Sequence, residues 1–325
     1  MRVQEPMLAR ERRDWDLVQV LRCDQKGHVL MKDKVIALLD SIGITPSDIV
    51  STERISGLTN ANYLVKTRDD ELIVRIASAD RAWAHGMSRD AEAQVLAAAQ
   101  AAGLGVEVLS YELPDGHLVT RKVAAGTYET APERFASPET FASIVERVKQ
   151  VHALPPVAHV FDPIAKATKT VDLAKREGID LPRGVSRLLE KAHEIEARWK
   201  PTDPLSLVLC HNDLFSVNIL QTSPPTLIDW EFVGLGDPFF DLATLLVACD
   251  DAHPLGMEHG ELALTVYFGE ADRDRIDHLS DMILVVRLHA ALWGVVQQAL
   301  RVPEPDGFTY AQYTEYMLNQ LIAEI

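Results

Sequence analysis

The sequence predicts an α+β protein in two unequal lobes, a small antiparallel β lobe followed by a larger, mostly helical one. Three observations predict it. Residues 45–123 hold short runs rich in branched and aromatic residues, separated by turn signals. From Gly126 onward the apolar spacing is mainly helical. Inside that helical part, three short strand-like pieces frame a dense polar cluster at 210–220.

Residues 1–30 mix charged and apolar positions without a period and form an N-terminal extension. Residues 32–44 place Val35, Ile36, Leu38, Leu39 and Ile42 at helical spacing. Segments 49–55, 62–67 and 71–76 read as three antiparallel strands, broken at Gly57 and at Arg68-Asp69-Asp70. Residues 88–102 read as a helix with Ser88 as N-cap. Two further strands, 106–112 and 117–123, are joined by the turn Pro114-Asp115-Gly116. Ser137-Pro138 supplies a cap and a first-turn proline to a helix whose apolar face is Phe141, Ile144, Val145, Val148 and Val151. Another helix spans 185–199, and strand-like pieces follow at 206–210, 218–220 and 226–229. Asp237-Pro238 repeats the cap-and-proline signature and opens the last helical region. The most apolar stretch, 282–300, is interrupted by Arg287 and His289, which predicts a buried helix and not a membrane span.

A chain of 325 residues can bury sizeable cores in both lobes. Its 48 acids against 32 bases give a net charge of -16, which repels phosphate backbones and predicts no nucleic-acid partner. Three cysteines, Cys23, Cys210 and Cys249, form no CxxC pair, so neither a disulfide framework nor a zinc knuckle is indicated. Residues 1–16 carry charges throughout and no apolar run, unlike a signal peptide. Together these features predict a reducing, cytoplasmic location.

The chemistry concentrates in His211-Asn212-Asp213 and Asn218, followed by Leu227-Ile228-Asp229-Trp230-Glu231. Two short strands side by side would bring Asp213, Asn218 and Asp229 to one point. Phosphoryl transfer uses those residue types: a carboxylate accepts the attacking hydroxyl's proton, while an amide oxygen and a second carboxylate hold Mg. A second cluster, Ser56, Gly57, Thr59 and Asn60, lies between two predicted strands, where backbone N–H groups can turn toward a phosphate or simply close a hairpin. Arg75 is flanked by Ile73, Val74 and Ile76, and a charge inside an apolar strand needs a partner, for which Glu92 is placed.

These motifs together resemble the choline/ethanolamine kinases of the aminoglycoside phosphotransferase superfamily, which have a protein-kinase-like fold. The resembling pieces run from Ser56 to Gln297 and include LIDWEFVGLGDPFFDLA from Leu227. The resemblance implies an ATP-dependent, Mg-dependent kinase of a small alcohol, choline or ethanolamine first. It implies a nucleotide-binding lobe at 31–123 and a catalytic and substrate-binding lobe at 124–325. Asp213 would be the catalytic base, and Asn218 and Asp229 the metal ligands. Ser56, Gly57, Thr59 and Asn60 would cover the phosphates, with Arg75 oriented by Glu92. Backbone groups from Arg121 to Ala124 would meet adenine. Glu231, Phe232 and Trp293 would line the acceptor site. His211 and Asp241 would brace the loop. Two departures count against choline: Ala248 stands where those kinases carry Glu, and Ala290 where animal choline kinases carry a second Trp. Asp250, Asp251 and the tyrosines at 310, 313 and 316 could complete a cation site, or belong to core or surface. An aminoglycoside- or thiamine-type kinase, a nucleotide-binding pseudokinase, a metal hydrolase and a homodimer stay open.

Overall fold

The computed structural model describes residues 25–55, 60–78, 84–199, 206–247, 255–304 and 307–325. Ser56, Gly57, Thr59, Ala248, Asp250 and Asp251 lie outside them, as does most of the N-terminal extension.

The first lobe is a five-stranded sheet of order β1-β2-β3-β5-β4: β1 (Ile49–Ile55), β2 (Ala61–Thr67), β3 (Glu71–Ile76), β4 (Val108–Glu112) and β5 (His117–Arg121). Every pairing is antiparallel. Strand alternation sorts its faces. Tyr63, Val65, Leu72, Val74 and Val119 form a core with Val35, Leu38 and Leu39 of α1 (Gln25–Ser41). Arg75 stands at an odd position of β3 and so faces the other way, paired in register with Asn62 and Leu118. Helix α2 (Arg89–Ala101) lies on that second side, its N-terminus capped by Ser88 accepting from the Ala91 amide. Ala91, Val95, Leu96 and Ala99 of α2 belong to the larger core of the second lobe. The Leu227 amide donates to the Leu104 carbonyl at 2.9 Å, which fastens the end of α2 there.

The second lobe is mainly helical. Helix α3 (Pro138–His152) is capped by Ser137, and α4 (Pro163–Glu177) by Asp162, which accepts from the amides of Ile164 and Ala165. Then follow α5 (Val185–Trp199), β6 (Val208–Cys210), β7 (Ile219–Leu220), β8 (Thr226–Leu227), β9 (Gly234–Gly236), α6 (Pro238–Val247), α7 (Met257–Phe268), α8 (Arg273–Ala299) and α9 (Tyr310–Ala323). β6 pairs β9 and β7 pairs β8, both antiparallel. Asp237 accepts from the Phe239 amide, the cap that its Asp-Pro signature predicts. Helix α8 is long and apolar enough to cross a membrane by length and composition. It is nonetheless a core helix: α4, α6 and α9 pack along it, and Leu279, Met282, Val285, Val286 and Leu292 are buried. The predicted two-lobed α+β fold is the observed one.

Candidate active site

Strand β6 leads the chain into His211-Asn212-Asp213, and a buried carboxylate shapes that loop. Asp241, in the first turn of α6, accepts from the backbone amides of His211 at 2.8 Å and Asn212 at 2.7 Å, and contacts His152 Nε2 at 2.9 Å. Two adjacent amides on one carboxylate fix the direction in which the next residue leaves. Asn212 takes a left-handed conformation, φ 64°, which asparagine tolerates, and donates Nδ2 to the carbonyls of Cys210 and Phe232. His211 is fully buried and Nε2 lies 3.0 Å from the Ile228 carbonyl. Burial pushes its pKa down to about 4, so near neutral pH it is an uncharged brace.

Asp213 follows at the mouth of the cleft. Asn218 donates Nδ2 both to the Asp213 carbonyl at 2.9 Å and to Asp213 Oδ2 at 2.7 Å. The Ile228 amide in turn donates to the Asn218 carbonyl at 3.0 Å, so the next residue, Asp229, lies against the same pair. Asp229 has φ 63° and ψ 65°, a left-handed backbone that a non-glycine residue holds only under constraint. The three residues read from the sequence as one constellation therefore converge. Burial, with Glu231 next in size, raises Asp213 to about 7, against the Asn218 hydrogen bond and Lys166. Asp229 is raised well above the carboxylate range by burial and then Glu231, while Arg75 opposes.

A buried ion network joins the lobes behind these acids. Arg75 Nη2 lies 2.6 Å from Glu92 Oε1 and donates to the Gly116 carbonyl at 2.9 Å, and Nη1 is 3.6 Å from Asp229 Oδ1. Arg89 reaches Glu92 at 2.7 Å and Glu231 at 3.5 Å, and Tyr111 donates its hydroxyl to Glu92. Asn60 Nδ2 donates to Glu231 Oε2 at 2.8 Å. On the acceptor side, Phe232 is buried under the Lys166 ammonium, and Trp293 is half-buried, edge-on to Tyr310 and Tyr313. His85, Lys166, His289 and Trp293 line one narrow cleft.

The Arg121 side chain takes no part in this cluster: at the end of β5 its guanidinium pairs with Asp70 and Glu107. The amides of Arg121 and Lys122 donate to the carbonyls of Glu107 and Glu71, leaving Val123 and Ala124 as the part of that link outside the strand register.

A family model described as phosphotransferase enzyme family matches residues 51–278. The chain belongs to that family. A choline/ethanolamine kinase family protein from Mesorhizobium loti superposes with a TM-score of 0.70 at 26% identity, covering 90% of this chain and 94% of that one. Choline kinase LicA from Streptococcus pneumoniae gives 0.68 at 19% identity, covering 93% and 100%. A LicA structure in complex with AMP gives 0.68 as well, at 19% identity over 90% and 98%. Protein LicA from Haemophilus influenzae is 26% identical over 224 residues, 67% of this chain, which spans 63% of that relative's length.

The donor set of this phosphotransferase fits a hard divalent cation. With Nδ2 engaged by Asp213, Asn218 keeps its amide oxygen for a ligand. The buried cations Arg75 and Arg89 are matched by Glu92 and Glu231, so Asp229 and Asp213 add negative charge that a cation would offset. Sequence reasoning missed Arg89, His85 and Lys166. Arg89 sits directly after the predicted cap Ser88, where a surface position is the default; nothing local marks His85 or Lys166.

Proposed function

We propose that this phosphotransferase moves the γ-phosphoryl group of ATP to the hydroxyl of a small alcohol. Asp213 accepts the hydroxyl proton as the alcohol oxygen attacks the γ-phosphorus; the bond to the β–γ bridging oxygen breaks and ADP leaves. Mg, held by Asn218 and Asp229, would neutralise charge on the phosphates. Arg75, oriented by Glu92, would face the same phosphates, with the segment around Ser56, Gly57, Thr59 and Asn60 above them and the link ending at Ala124 beside the base. The observation that carries the reading is the double hydrogen bond from Asn218 to Asp213, beside Asp229. It would set a proton acceptor and two oxygen ligands in one place, the arrangement an in-line transfer needs.

Similarity to choline and ethanolamine kinases supports an amino alcohol as acceptor. A second reading, an alcohol without a cationic group, has its own support: the Lys166 ammonium already stands over Phe232. The cytoplasm, where ATP is abundant, suits the reaction.

The test is ADP release from Mg-ATP across a panel of alcohols. Wild-type protein gives acceptor-stimulated release. Asp213→Asn lowers kcat by about 10²- to 10⁴-fold with KM for ATP unchanged. Nucleotide binding without any turnover would make the chain a pseudokinase, and phosphate-ester turnover without nucleotide a hydrolase. Either would sink the proposal.

A further inference from the structure

Lys166 projects from α4 into the cleft beside Phe232, three positions beyond Asp229. Its Nζ lies 4.5 Å from the Phe232 ring centroid and 5.4 Å from that of Phe161. The nitrogen is sealed from solvent and has no hydrogen-bond partner among the described residues. Lysine carries three N–H donors and no acceptor, and burying them unmet is costly. Asp213 and Glu231 act on the ammonium through space, but neither hydrogen-bonds to it. Asp213 Oδ2 is taken by Asn218, and Glu231 Oε2 by Asn60 and Arg89. Burial draws the lysine down to about 7, which those two acids only partly reverse.

Two consequences follow for whatever enters the cleft. An aromatic face with carboxylates near it is what a quaternary ammonium seeks, and here a cation of the protein's own already covers it. A second cation on Phe232 would meet like charge at close range. An oxygen with lone pairs would instead satisfy the orphaned donors.

We propose that Lys166 selects the acceptor: its ammonium donates to an oxygen of the hydroxyl-bearing substrate, a carboxylate or a further hydroxyl, and keeps quaternary ammonium groups off the Phe232 face. The inference rests on the phosphotransferase reading and narrows its acceptor; it treats Lys166 as a specificity residue and leaves proton transfer to Asp213.

The experiment measures binding, so its outcome is separate from the Asp213→Asn turnover test. Choline, glycerate and glycerol are titrated by calorimetry into wild-type, Lys166→Met and Lys166→Arg proteins, each loaded with Mg-ADP and checked for an unchanged unfolding midpoint. Wild type binds glycerate or glycerol more tightly than choline, and which of the two wins separates carboxylate from hydroxyl recognition. Lys166→Met tightens choline by about ten- to thirtyfold and weakens the oxygen probe by at least about tenfold. Lys166→Arg keeps the wild-type order and guards against misfolding of the methionine variant. The proposal is overturned if wild type prefers choline, if Lys166→Met leaves choline affinity unchanged or lower, or if no oxygen probe binds better than choline.

Discussion

Three carboxylates, Asp213, Asp229 and Glu231, share one small volume, and the protein treats them differently. Glu231 is buried and answered by Arg89 and Asn60. Asp229 is held in a left-handed backbone beside Arg75. Asp213 keeps one oxygen on Asn218 and is raised to about 7, chiefly by burial and then by Glu231. A base raised this far works only once its proton has gone. Turnover is therefore complete above the Asp213 pKa and is lost as pH falls through it, with an acid limb no higher than about 7. A bound divalent cation shifts the limb lower, never higher. Measuring kcat at saturating substrates between about pH 5 and pH 9 locates it, and an acid limb clearly above 7 would count against Asp213 as the base. The spacing of Asp213, Asn218 and Asp229 was legible because short strands on both sides leave the chain little freedom in where it turns. The left-handed backbone of Asp229 and the placement of Lys166 were not. Both depend on packing between segments far apart in sequence.

Elements were legible wherever a local rule has one solution. The bounds of β1 and β3 match the alternating runs, because each run ends at turn residues. Ser88, Ser137 and Asp237 act as the caps they resemble. Asp162-Pro163 bears the same signature and opens α4, the helix that carries Lys166; this was the available signal for it. The strands near the site came out shorter than read, since β7 and β8 pair over two residues each and their neighbours serve the acids instead. Helix–helix distance is not encoded locally, and Gly294 shows why it matters. A Cβ there would run into Thr314 Oγ1 and approach the Tyr313 ring to 3.0 Å and the Tyr310 carbonyl to 3.1 Å. That hydroxyl is already committed to the Tyr310 carbonyl at 2.8 Å. Gly294→Ala therefore pushes α9 away from α8 and lowers stability by about 1–3 kcal/mol in denaturant unfolding. Because Trp293 is next in sequence and edge-on to Tyr310 and Tyr313, acceptor KM rises in the same variant while ATP KM does not. An unchanged unfolding midpoint would mean that the two helices part without strain.

At the scale of the whole molecule, the polar contacts between the lobes among the described residues include backbone ties such as Leu227 to Leu104 and a second set close to the acids. Asn60, 171 positions from Glu231, donates to it at 2.8 Å. Gln297 donates to His85 at 3.1 Å across 212 positions. Arg75 and Arg89 reach from the sheet side to Asp229 and Glu231. The contacts near the acids join the lobes and hold site residues at once, so nucleotide affinity should depend on them. Asn60 stands directly before β2, and its side chain ties the first lobe to Glu231 of the second. Losing a hydrogen bond to a buried carboxylate is worth about 1.5–3 kcal/mol, so Asn60→Ala raises ATP KM by roughly ten- to a hundredfold. Glu231→Gln removes the charge but keeps the shape, and the Asn60 contact weakens from that side too. If the contact is what transmits the effect, the double variant is no worse than the poorer single one. Four ATP KM values, from wild type, each single variant and the double, close the cycle. Additive losses would show that Asn60 and Glu231 act on the nucleotide separately.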